Sequence, residues 1–115
     1  MEVEVYDGAL YIIDDVMVIQ VKPPVRLGVL AKALVSLGDE WPEKKAVGGG
    51  LINVETFWDD SVEPKQFIAK VGIWVLRFDW TMDVPSPREV ARLVRLANEK
   101  LSRKTYKGKV RSKSR

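Results

Sequence analysis

Lys70, Trp74, Phe78 and Trp80 fall at even positions of one apolar stretch, and together they could hold an unpaired nucleobase. Aromatic faces stack on bases that no partner strand covers, and a nearby ammonium holds the adjoining phosphate. The spacing predicts one long strand over 66–80, with successive side chains on opposite sides. Gly72 and Leu76 share the even side. Ala69, Val71, Ile73, Val75, Arg77 and Asp79 form the other. Both sides are apolar, so both need a cover unless one is a working surface. Aromatic residues on strands usually fill a core, which is the plain reading of the same residues. Four tryptophans in 115 residues favour the working surface, with Trp58 joining from the preceding strand.

The second constellation is cationic. Lys100, Arg103, Lys104, Lys107, Lys109, Arg111, Lys113 and Arg115 occupy half of the last sixteen positions, where no acid occurs. From Arg92 onward ten basic residues face one acid, Glu99, for a local charge of +9; residues 1–91 carry nine bases and fifteen acids, or −6. Charge segregated in this way creates a directional field, and its natural partner is a polyanion whose counterions are released on contact. Arg88, Arg92 and Arg95 lie on a predicted helix and are the better candidates for oriented phosphate contacts. Lys104, Lys107 and Lys109 would add affinity with little specificity.

Other chemistries find little here. The chain has no histidine and no cysteine, so it holds no Ser-His-Asp or Cys-His nucleophile and no thiolate metal site. Asp59, Asp60 and Glu63 crowd one loop but lack the spacing of a calcium-binding loop. Gly48-Gly49-Gly50 lacks the lysine and hydroxyl of a phosphate-binding loop and reads as a hinge between helix and sheet. Asp14-Asp15 reads as a turn. The expectation is a non-enzyme with no cofactor and no metal.

These groups need a scaffold, and the chain is long enough for one ordinary core. Glu2 to Tyr6 alternates as a half-buried strand, Asp7-Gly8 signals a tight hairpin turn, and Ala9–Ile13 and Val16–Val21 continue a meander. Pro23-Pro24 precedes an apolar helix ending near Gly38. Leu51–Trp58 and the 66–80 stretch form a long hairpin. Ser86-Pro87-Arg88-Glu89 is a capping box that opens a helix with an apolar stripe at Val90, Leu93, Val94, Ala97 and Leu101. No apolar run reaches the ~18 residues of a membrane span. The acidic N-terminus is unlike a secretion signal, which fits a cytoplasmic location. Plentiful Lys, Glu and Val with only two Gln lean toward a thermophile.

In Trp58, Lys70, Trp74, Phe78, Trp80, Arg88, Arg92 and Arg95, the layout over 51–104 resembles the ThermoDBP-type archaeal single-stranded nucleic-acid-binding proteins and their shorter related forms. That resemblance implies a sheet-and-helix domain with a hydrophobic cleft flanked by basic residues. Longer members carry a coiled-coil extension, whereas this chain ends in basic residues without heptads.

The sequence therefore predicts an α+β domain over 1–104, an antiparallel sheet of four to five strands with two main helices on one face, and a disordered basic tail over 105–115. The expected function is non-catalytic binding of single-stranded RNA or DNA with low sequence specificity. Trp58, Trp74, Phe78 and Trp80 would stack, while Lys70, Arg77, Arg88, Arg92, Arg95, Lys104, Lys107 and Lys109 would contact phosphates. The alternative is an interaction subunit of a larger ribonucleoprotein or protein complex. A homodimer is compatible with either reading, and a membrane partner with neither.

Overall fold

Asp7 and Gly8 both adopt positive φ, 51° and 76°. That backbone matches the twist of the two flanking strands, and it is why an Asp-Gly pair makes so tight a hairpin. The computed structural model describes residues 1–79 and 83–113, with side chains through residue 103. The hairpin joins β1 (Glu2–Tyr6) to β2 (Ala9–Asp14). After the predicted Asp14-Asp15 turn comes β3 (Met17–Lys22), and both pairings are antiparallel. Helix α1 (Leu27–Leu37) starts after the proline pair and ends at Gly38, whose φ of 78° few other residues tolerate.

The rest of the sheet departs from expectation in two places. Lys44–Val47 forms a strand, β4, and Gly48-Gly49-Gly50 turns the chain into β5 (Ile52–Asp59). The three glycines have φ of 61°, 68° and 88°, so they build a strand-to-strand loop rather than a hinge between helix and sheet. The stretch 66–80 is not one strand. It divides into β6 (Gln66–Val71) and β7 (Trp74–Asp79), with Gly72 at φ 58° and Ile73 making the turn.

The sheet therefore has seven antiparallel strands in the order β1-β2-β3-β7-β6-β5-β4, not the four to five expected. One short strand, Lys44–Val47, and one unrecognised turn, Gly72-Ile73, account for the difference. The α+β class and the two helices agree with the expectation.

Helix α2 (Pro87–Lys113) opens at the predicted cap, where the Glu89 N–H donates to Ser86 Oγ at 3.1 Å. The reciprocal arm of the capping box is absent, because the Glu89 carboxylate turns to Arg92 instead. Caps of this kind contribute about 1 kcal/mol.

One apolar cluster unites sheet and helices. Val3, Leu10, Ile12, Ile19, Val21, Val54, Phe67, Val71, Trp74, Leu76 and Phe78 from one sheet face meet Leu30, Leu34, Val90, Val94 and Ala97 from the helices. Two indole N–H groups fasten the connecting segments to this cluster. Trp41 Nε1 donates to Pro85 O and Trp74 Nε1 to Val25 O, each at 2.8 Å. Both helices thus cover the same side of the sheet, as expected. Among the described residues, no element covers the other side.

Candidate nucleic-acid interface

The turn at Gly72-Ile73 decides which side chains share a surface. Because β6 and β7 pair as Val71 with Trp74 and Lys70 with Val75, Lys70 faces away from Trp74. Trp74 and Phe78 point into the helices and are 4% and 1% exposed, so their ring faces are already covered. They cannot stack on a ligand base without unfolding the core. That corrects the expected surface of Lys70, Trp74, Phe78 and Trp80; Trp80 itself lies outside the described residues.

The uncovered side of the sheet carries a different set, arranged in rows across the strands. A central row runs Glu4, Tyr11, Gln20, Arg77, Ile68, Phe57 over six adjacent strands. Two residues along, Lys22, Val75, Lys70, Glu55 and Lys44 make a second row from β3 to β4. On the opposite flank Glu2, Asp79 and Asp59 are joined through Ile13, Val18 and Gln66. Each row is a consequence of strict period-two alternation held in register by the ladders.

Phe57 is 39% exposed, and the Lys70 ammonium stands 5.6 Å from its ring centroid. This pair combines an open aromatic face with a cation. Ile68 is buried between Phe57 and Arg77 even though no helix covers it. Gln20 Nε2 donates to the Tyr11 hydroxyl at 3.0 Å.

Arg77 is on this face as well, but it is already engaged. Its Nη1 donates to Asp59 Oδ2 at 3.0 Å and to Gln66 Oε1 at 2.6 Å, while Gln66 Nε2 donates to Asp79 Oδ1 at 2.8 Å. The Ser61 hydroxyl, then Arg77 and the Ser61 N–H, hold the Asp59 carboxyl below the ordinary carboxylate range. A lowered native value adds stability above the unfolded value, and that stability disappears as pH falls through the lowered one. Asp59→Asn removes this dependence. The stability gap between the native protein and the variant should accordingly narrow from pH 6 toward pH 2, measured by urea denaturation at each pH. Asp59 is committed to this pairing, and the described residues contain no group of three or more potential metal ligands.

The remaining predicted residues lie elsewhere. Trp58 is on the helix side of the sheet, 45% exposed, packed edge-on against Phe67 with Lys65 5.1 Å above its ring. Arg88, Arg92 and Arg95 line a shallow groove beside α1 together with Val35, Glu89, Leu96 and Glu99. Arg92 makes two hydrogen bonds to Glu89, which hold that carboxyl below its ordinary value, and Arg88 is 3.6 Å from Asp39. Arg95 has no ion pair among the described residues. The side chains of Lys104, Lys107 and Lys109 lie outside the described residues.

Among the described residues the expected cleft of stacked aromatics beside arginines does not form, because Trp74 and Phe78 are buried beneath the helices while Arg88, Arg92 and Arg95 line a surface groove. Sequence reasoning missed Tyr11, Lys22, Lys44 and Phe57. For Trp74 and Phe78 the available signal was Gly72, an isolated glycine inside an apparent strand, which marks a turn and reverses the side on which every later residue falls; the missed residues all precede it and carry no such mark. No described helix is long and apolar enough to cross a membrane. No protein-family model, curated protein or solved structure matches the chain.

Proposed function

We propose that the uncovered sheet face binds single-stranded nucleic acid, without catalysis and with low sequence specificity. The observation that carries this reading is Phe57, exposed beside the Lys70 ammonium on a face that no described helix covers. A base stacked on that ring leaves its phosphate within reach of the lysine. Every base offers a ring face, so the contact tolerates any sequence. A duplex hides those faces, which makes single strands the preferred form. The ligand class is also the one implied by the resemblance drawn from the sequence, although the contributing residues are largely different.

Titration of fluorescently labelled single- and double-stranded oligonucleotides of DNA and RNA, followed by anisotropy at two salt concentrations, tests the proposal. Single strands should bind more tightly than duplex, and their affinity should fall as salt rises. Equal or stronger duplex binding, or none at all, rejects it.

One observation favours the second reading, a subunit of a larger ribonucleoprotein or protein complex. Leu51 and Ile73 are 88% and 56% exposed on neighbouring turns at the lysine end of the sheet. The Gly72 N–H donates to Asn53 O at 2.9 Å and ties these turns together. An apolar tip of this kind is suited to burial against another protein. In that case the purified chain alone binds no oligonucleotide.

A further inference from the structure

The uncovered face is electrostatically lopsided. Its central row is aromatic and polar, one flank holds Lys22, Lys70 and Lys44 with Glu55, and the other holds Glu2, Asp79 and Asp59. The lysine flank carries three cations and one carboxylate. The acidic flank carries three carboxylates, and Arg77 beside it is paired with Asp59. A phosphate laid over the acidic flank would meet repulsion along its whole path, whereas one over the lysine flank meets a cation on every second strand.

We infer that the backbone of a bound single strand runs along Lys22–Lys70–Lys44, perpendicular to the β-strands, with its bases turned inward over the central row. This inference rests on the proposed function and specifies its geometry. The strand register carries the row across five adjacent strands, β3, β7, β6, β5 and β4. At ~4.8 Å per strand the track is about 19 Å long, which suits a short oligonucleotide.

The central row lies two residues from the track, about 7 Å along each strand. Phe57 is the stacking platform there. On the far side of Ile68 the flat Arg77 guanidinium keeps Nε and Nη2 without partners among the described residues, and Gln20, its neighbour in the row, keeps Oε1 free in the same way. A fixed donor plane beside a free amide acceptor is suited to base edges, whereas the lysines, as point charges, are suited to phosphates. Arg77 is therefore assigned to bases rather than to the phosphate contact expected from sequence.

The same labelled single-stranded oligonucleotide tests the track through the salt dependence of its affinity. Each phosphate released from a lysine removes about 0.7 from the slope of log affinity against log salt. Lys22→Gln, Lys44→Gln and Lys70→Gln should each flatten the slope by about that amount and weaken binding about fivefold near 0.1 M salt. All three side chains are exposed, so an unchanged urea midpoint verifies the fold of each variant. If the native protein binds but the three variants keep its slope, the track is wrong while the proposed function stands. A slope that responds instead to replacing Arg88, Arg92 and Arg95 overturns the track and moves the ligand to the helix side. If the native protein does not bind single strands at all, the function falls and the track with it.

Discussion

Phe78→Ala should lower the unfolding free energy by about 3–5 kcal/mol, read as a shift in the urea midpoint at constant slope. The ring is 1% exposed on the central strand β7. Its centroid is 5.8 Å from those of both Trp41 and Phe67, in tilted and edge-on geometry. Truncation removes the transfer energy of the ring and leaves a void that seven hydrogen-bonded strands cannot easily close. A domain of this size has only about 5–15 kcal/mol in total, so the variant would be marginal at 37 °C. A loss below about 1 kcal/mol would place the ring at the surface and restore the even-numbered side of β7 as a ligand face. Oligonucleotide binding by the folded fraction should be unaltered, because Phe78 faces the helices.

Phe57→Ala should do the reverse. The ring belongs to the uncovered face, so unfolding free energy should change by about 1 kcal/mol or less, while affinity for single strands drops roughly 5- to 150-fold. That range corresponds to the ~1–3 kcal/mol that one base–aromatic stack contributes. Phe57→Tyr retains a ring face and should retain most of the affinity. A Phe57→Ala protein that binds as well as the native one, at an unchanged urea midpoint, would remove the stacking platform from the proposal. The two phenylalanines thus separate folding from binding, since one acts on stability alone and the other mainly on affinity.

How far the sequence disclosed this arrangement depended on how local the deciding signals were. Asp7-Gly8 and Ser86-Pro87-Arg88-Glu89 specify a turn and a cap within four residues, and both form where they were expected. The apolar stripe of α2 follows from helical period and is buried at Val90, Leu93, Val94 and Ala97, with Leu101 partly covered. The face of β7 was misread because facing is a non-local property. It depends on how many residues intervene since the last known strand, and the uncounted turn at Gly72-Ile73 reverses every later side chain. Lys44–Val47 escaped notice because two lysines at a sheet edge look like loop, yet charge at an edge is how sheets discourage unwanted pairing. The lysine row had no linear signature at all, since Lys22, Lys44 and Lys70 come from three distant strands and meet only through register.

The indole bonds to Pro85 and Val25 have a spectroscopic consequence. Trp41 and Trp74 are fastened inside the helix-covered layer, and Trp58 emerges on that same side. The ultraviolet emission of these three chromophores therefore reports the integrity of the packed layer, with a red shift on unfolding, while occupancy of the opposite surface passes them by. For an optical assay of ligand capture, tryptophan in place of Tyr11 puts a reporter beside Gln20 on the open strands.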